Sequence, residues 1–164
     1  MFIEFDFIEI EGVNTMSRTF MLNRSRISRS RYIIDASGLP LGRLSAQVAS
    51  ILRGKVKPIF VSNVDCGDFV TVVNCDKVVL TGKKWDNKKR YRHTGYIGHL
   101  KTIKYSDLRR NDPCKAVKLA VRGMLPSTTL GRAQLKRLNL QVGNVVKDAE
   151  NLKSWTNFRK VRIA

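Results

Sequence analysis

Tyr32-Ile33-Ile34 is an apolar run with no polar interruption, closed by the turn signal Asp35-Ala36-Ser37-Gly38. A strand with one wet face alternates in polarity, so unbroken apolarity predicts a strand covered on both faces. The period then changes. Leu44, Val48, Ile51 and Leu52 fall at i, i+4, i+7 and i+8, one apolar stripe of a helix over about Gly42–Arg53. Arg43, Gln47 and Ser50 take its other side, and Gly54 is placed to end it in a left-handed conformation. Phe69–Val73, rich in β-branched residues, is the strongest strand signal of the chain. Strand, helix, strand in this order predicts the α/β class, with a parallel sheet joined by helical crossovers.

Val78-Val79-Leu80 reads as a further short strand, ending at Thr81-Gly82. Asp112-Pro113 reads as N-cap and first residue of a helix whose stripe is Val117, Ala120, Val121 and Met124. Pro126 stops it. Ser127-Thr128-Thr129 is suited to cap another helix, which carries Leu130, Arg132, Leu135, Lys136 and Arg137. Leu138, Leu140 and Val142 alternate with Asn139 and Gln141, the pattern of a last strand. Beyond Gly143 the pattern fades into a basic tail, residues 144–164, read as an irregular arm with Trp155, Arg159, Lys160 and Arg162.

Charge decides the kind of partner. The chain has 164 residues, a length for one domain, and its hydrophobic fraction of 43% suffices for a core. Its formal charge is +18, unevenly placed: residues 1–15 sum to −4, and the remainder carries 31 basic against 9 acidic residues. An excess of this size costs compactness through self-repulsion and points to a polyanion, nucleic acid above all. No run reaches the roughly 20 apolar residues of a membrane span, and the cations are spread over folded elements rather than along one amphipathic helix, so no membrane partner is expected. The acidic start, MFIEFDFIEIEG, fits neither a signal peptide nor a mitochondrial presequence. Residues 1–15 are read as an atypical extension, with Met16 as an alternative start. Residues 17–31, rich in Arg and Ser and free of acid, have the composition of an RNA-binding arm or of an organellar presequence.

The densest cationic stretch is Thr81–Lys101, TGKKWDNKKRYRHTGYIGHLK. Lys83, Lys84, Lys88, Lys89, Arg90, Arg92 and Lys101 face a single acid, Asp86, and are interleaved with Trp85, Tyr91, Tyr96 and both histidines, His93 and His99. Cations neutralise phosphates, while rings and guanidinium planes stack on exposed bases. The stretch is therefore read as a loop lying on A-form RNA, with His93, Thr94 and the tyrosines reaching bases and 2′-hydroxyls. Gly95 and Gly98 let the backbone approach a ligand, and their GxxG spacing alone is too weak to indicate a KH module. Further cations gather at helix ends: Arg43; Arg53, Lys55 and Lys57; and Arg132, Lys136 and Arg137. Arg53 suits a helix C-terminus electrostatically as well as it suits a phosphate.

Catalysis and metal chemistry find no support. Cys66 with His93 and a nearby Asp65 or Asp68 has no defensible dyad spacing, and Asp65-Cys66-Gly67-Asp68 reads more simply as a turn before a strand. Cys66, Cys75 and Cys114 form no CxxC, which suits reduced thiols. Two histidines six apart match no metal site, and no P-loop or strand-linked GxGxxG is present. No cofactor, metal or small-molecule substrate is expected.

Several of these segments, in order, resemble the bacterial-type large-subunit ribosomal protein L-thirteen family. They are Tyr32-Ile33-Ile34-Asp35-Ala36 with Leu41-Gly42-Arg43-Leu44, Ala49–Lys55, Val64–Asp68 and Leu80–Lys84. The most specific is Tyr91-Arg92-His93-Thr94-Gly95-Tyr96, followed by Gly123-Met124-Leu125-Pro126 with Leu130-Gly131-Arg132. The resemblance runs from about Met16 to Gly143, and Met16–Arg31 is similar to the family's N-terminus. Three departures stand out. Ile97-Gly98-His99 replaces the family's usual Pro-Gly-Gly, Arg31 stands where tryptophan is common, and residues 144–164 lack the family's Gln- and Pro-rich tail.

The resemblance implies a three-layer α/β/α fold on a four-stranded, mainly parallel sheet, with basic loops and terminal arms. It implies one RNA-binding domain over residues 16–143 and no catalytic activity. It implies a structural role in the large ribosomal subunit: binding large-subunit ribosomal RNA beside neighbouring large-subunit proteins and supporting early assembly. A cytoplasmic ribosome of bacterial type is expected, with an organellar one left open. The alternative function is an RNA-binding regulator of translation outside the ribosome.

Overall fold

The computed structural model describes residues 21–23, 25, 27–143 and 152–154. The acidic extension and residues 16–20, 24 and 26 lie outside the described residues, as does most of the tail, including Trp155, Arg159, Lys160 and Arg162.

The first elements follow the apolar pattern. β1 (Arg31–Asp35) leads into α1 (Leu41–Arg53), and β2 (Phe69–Val73) returns beside β1 in parallel, Arg31 opposite Phe69 and Asp35 opposite Val73. The stripe of α1 is buried as its spacing requires, Leu44, Val48, Ile51 and Leu52 all facing inward. Gly54 closes α1 at φ 85°, its N–H donating to the carbonyls of Ser50 and Ile51, both at 3.0 Å.

A single 3-10 turn, Cys75–Lys77, follows β2 and starts from Asn74 in the left-handed region at φ 55°. Next come α2 (Lys84–Asn87), β3 (Lys89–His93), β4 (Leu100–Lys104), α3 (Tyr105–Asn111), α4 (Pro113–Met124), α5 (Thr129–Leu135), β5 (Leu138–Leu140) and β6 (Leu152–Ser154). Pro113 opens α4, and Thr128 caps α5, its hydroxyl accepting the Gly131 N–H at 3.4 Å. β5 pairs with β2 and β6 with β1, both in parallel, so the strand order is β5-β2-β1-β6. The chain is thus mixed α/β with a parallel sheet. α1 packs on β2, α4 and α5, and the core joins Ile34, Val70 and Val72 of the sheet to the α1 stripe and to Val117 and Val121 of α4.

Three expectations need correction. Val78-Val79-Leu80 is not a strand. Only Val79 makes ladder-like bonds, its N–H bonding the Leu39 carbonyl and its carbonyl the Leu41 N–H, both at 3.0 Å. Val78 is apolar because it is buried, and a run of three apolar residues cannot separate burial from pleating. The tail is not wholly irregular, because Leu152–Ser154 adds to the edge of β1. The basic stretch is not a loop. It folds as α2 and an antiparallel ribbon, β3 with β4, that forms its own two-stranded sheet.

Candidate nucleic-acid interface

The ribbon stands outside the core. Every residue of β4 is exposed, and within β3 only Arg90 is partly covered. Residues directly opposite in an antiparallel pair share a face. Lys89 faces Lys104, Tyr91 faces Thr102 and His93 faces Leu100 on one side; Arg90 faces Ile103 and Arg92 faces Lys101 on the other. Two of these five pairs set cation directly against cation, an arrangement that destabilises a ribbon left alone. Residues 89–104 contain no acid to relieve it.

The turn explains its glycines: Gly95 and Gly98 have φ of 100° and 76°. The His93 Nδ1 accepts the Gly95 N–H at 3.0 Å, and the Tyr96 and His99 rings lie 6.0 Å apart. Tyr91, Tyr96, Ile97 and Leu100 are all more than half exposed. The ribbon therefore offers a cationic face with Arg90, Arg92 and Lys101, and a second face on which Tyr91 and His93 lie between Lys89 and the aromatic turn. Its base is fixed. The Tyr105 N–H bonds the Lys88 carbonyl at 3.0 Å, and the Lys88 ammonium lies 4.9 Å from the Tyr105 ring. The Arg109 guanidinium sits 4.8 Å from the Trp85 ring and ties α3 to α2.

Of the other candidates, Arg43, Lys55, Lys83, Lys84, Arg132 and Lys136 are exposed, with Lys84 bonded to the Thr81 hydroxyl at 3.3 Å. Lys83, Lys84 and Lys88 lie close to the start of α1 around one groove, whereas Arg132 belongs to a separate pocket with Arg122 and Leu135. Arg53 leans on the Phe60 ring at 5.8 Å, in the last turn of α1 where a cation suits the helix dipole.

Lys57 and Arg137 are placed differently. The Lys57 ammonium meets Asp68 at 2.6 Å and the Ser28 carbonyl at 2.7 Å. Arg137 grips Asp65 with both terminal nitrogens, one of them 2.5 Å from Oδ1, and reaches the Leu52 carbonyl at 3.3 Å. Side chains on both sides of the Arg137–Asp65 pair are only 10% exposed. These two cations are engaged inside the protein. What reads as a turn, Asp65-Cys66-Gly67-Asp68, is a buried latch that ties the segment before β1, the end of α1 and the α5–β5 junction. Asp68 completes it by accepting the Ser30 N–H at 2.9 Å.

Gly67 lies inside this latch. A Cβ there would fall 1.7 Å from the Leu52 carbonyl oxygen and 2.7 Å from an Arg137 nitrogen. Gly67→Ala is therefore expected to lower stability by about 1–3 kcal/mol, the usual cost of overpacking. A thermal midpoint equal to that of the parent would refute this.

Sequence reasoning missed Lys104, Arg109 and Arg110. Lys104 closes the ribbon opposite Lys89, and both arginines are exposed on α3. Their signal was the apolar pair Tyr105 and Leu108, the buried side of a helix too short to show a period. Cys66 is buried with its thiol toward the Val64 carbonyl at 3.6 Å, while His93 stands on the exposed ribbon, so the two do not form a dyad. The carboxyl ends of β1 and β2, where open parallel sheets take ligands, are tied together by the chain itself: Asn74 Nδ2 donates to Asp35 at 2.9 Å, and the Asn74 N–H bonds the Gly143 carbonyl at 3.1 Å. Among the described residues, no helix is long and apolar enough to cross a membrane.

Comparison with known proteins matches residues 29–147 to the family model described as Ribosomal protein L13. A large ribosomal subunit protein uL13 of Thermobifida fusca is 52% identical over 126 residues, 77% of this chain and 85% of the relative. The uL13 of Natranaerobius thermophilus is 50% identical over 129 residues, 79% of this chain and 90% of the relative. That of Oenococcus oeni is 53% identical over 125 residues, 76% and 84% of the two chains.

Proposed function

This chain belongs to the ribosomal protein L13 family, and on that premise we propose how its surface works within the large ribosomal subunit. It is a structural constituent of that subunit and not an enzyme. The α/β body, residues 16–143 read as one domain and a three-layer α/β/α sandwich, holds the β3–β4 ribbon against large-subunit ribosomal RNA. Lys88, Lys89, Arg90, Arg92, Lys101 and Lys104 lie along phosphates, while Tyr91, His93, Thr94 and Tyr96 meet exposed bases and 2′-hydroxyls. Arg43, Lys83, Lys84 and Lys55 extend the cationic track over the body, and Arg53, Arg132 and Lys136 touch further RNA segments. Holding separate segments in one geometry is what lets such a protein act early in assembly, beside its neighbouring large-subunit proteins, on a bacterial-type ribosome in the cytoplasm.

The observation that carries this reading is the pair of cation–cation couples, Lys89 with Lys104 and Arg92 with Lys101. A two-stranded ribbon is marginal by itself, and this one adds repulsion that a phosphate backbone would remove. Sedimentation tests it. The protein is expected to co-migrate with large subunits after a moderate salt wash. Recovery only in the soluble fraction at low salt would reject it.

A further inference from the structure

Beside the base of the ribbon lies a groove of about 810 Å³ between the start of α1, the Thr81–Lys84 turn and α4. Its floor is apolar, made by Leu80, Tyr105, Leu119 and Met124, and Met124 is 45% exposed although it lies on the inward stripe expected of α4. Its rim carries Lys83, Lys84 and Lys88, and no acidic side chain lines it. A volume of this order suits a small organic ligand, and pockets of that kind run to about 300–1,000 Å³.

We propose that this groove receives one unpaired nucleotide of the bound RNA, its base on the apolar floor and its phosphate among the three lysines. The inference rests on the RNA-binding reading and adds a specific site to it. Charge complementarity selects the occupant: an apolar floor alone would suit a hydrophobic side chain of a neighbouring protein, but three lysines and no acid suit a group that joins a flat apolar ring to an anion. Continuity points the same way. Lys88 belongs to the groove, and the next residue, Lys89, begins β3, so a strand following the ribbon passes the groove mouth. The Lys88 ammonium is already held over the Tyr105 ring, which fixes one cation beside the floor. α1 also opens here, with no capping side chain and no acid in its first turn, and its positive end adds to the same field. Asn87 and Thr81 place polar groups in the lining, where they can meet a base edge.

Gly123 offers a test that leaves charge untouched. It lines the groove, and a Cβ there meets no atom within 4 Å. Gly123→Phe fills the space, while Gly123→Ala keeps it open; both replace a helical glycine by a better helix former. Binding is measured to an RNA duplex carrying one bulged nucleotide and to the same duplex without it. The parent protein and Gly123→Ala are expected to prefer the bulged RNA by about tenfold, within the range that stacking of one base supplies. Gly123→Phe is expected to lose that preference while binding the perfect duplex as the parent does. Equal binding of both RNAs by the parent would overturn the groove assignment and leave the ribbon reading standing, whereas no binding to either would overturn both. A preference retained by Gly123→Phe, with loss of its incorporation into large subunits, would overturn the proposal in favour of a protein occupant.

Discussion

Arg137→Ala is expected to cost the fold about 3–5 kcal/mol, the size found when one partner of a buried ion pair is removed and the other charge is left behind. In a chain of 164 residues this lowers the thermal midpoint by roughly 10 °C or more. The reason is geometric. The guanidinium fork satisfies both carboxylate oxygens of Asp65 and the Leu52 carbonyl at once, and Arg29 stands only 3.8 Å from Asp65 as a partly exposed second cation. Removing the whole pair should cost far less than removing half of it, so Asp65→Leu combined with Arg137→Leu is expected to regain much of the loss. The acid limb of stability depends on the same ion pair. Burial would raise the Asp65 carboxyl, but hydrogen bonds and charge from Arg137 outweigh it and hold the group below its ordinary value of 3.8. Stability from Asp65 is therefore full above that value and is lost as pH falls through the lower, folded one. Asp65→Asn should flatten this part of the acid limb. If Arg137→Ala instead keeps full stability and loses RNA affinity, the latch assignment fails and Arg137 returns to the interface.

That exchange of roles shows where sequence reasoning ends. The stripe of α1, the β-branched β2, the Pro113 start of α4 and the Thr128 cap of α5 are local patterns, and local patterns are legible. The apolar run of β1 marked a strand correctly, but only Ile34 of it is buried, and Asp112 precedes α4 without a side-chain capping bond. The latch is not local: Asp65 and Arg137 are 72 residues apart, and nothing in either neighbourhood announces the other. The same limit made two half-buried, internally paired cations, Lys57 and Arg137, look like phosphate ligands, because a sequence shows a charge but not its partner. The ribbon was hidden for a different reason. Its strands, KRYRH and LKTIK, are exposed on both faces, so neither face writes a hydrophobic period. What survived as a signal was composition: cations interleaved with rings, and two glycines at the turn. Composition located the candidate interface but could not show that its cations sit across from one another. That pairing makes the ribbon costly without a polyanion, and it appears only in the register.

The ribbon therefore carries the second large effect. Replacing Lys88, Lys89, Arg90 and Arg92 together with alanine is expected to weaken RNA binding by about a hundredfold or more at moderate salt and to leave the thermal midpoint near that of the parent. All four side chains lie outside the core cluster, and the couples Lys89–Lys104 and Arg92–Lys101 lose their repulsion when the β3 partner is removed, so the free protein has no electrostatic reason to unfold. The slope with salt is the sharper measure. If the parent neutralises about 6–10 phosphates, its affinity should fall by roughly 10³–10⁵ between 50 and 200 mM salt. The slope falls by about one for every phosphate that is no longer neutralised, so the fourfold variant should be shallower by about three to four. An affinity drop with an unchanged slope would mean that the ribbon acts through Tyr91 and Tyr96, by stacking, and not through its cations. An unchanged affinity would remove the ribbon from the interface, and the exposed lysines and arginines of the body would then have to account for the whole electrostatic attraction.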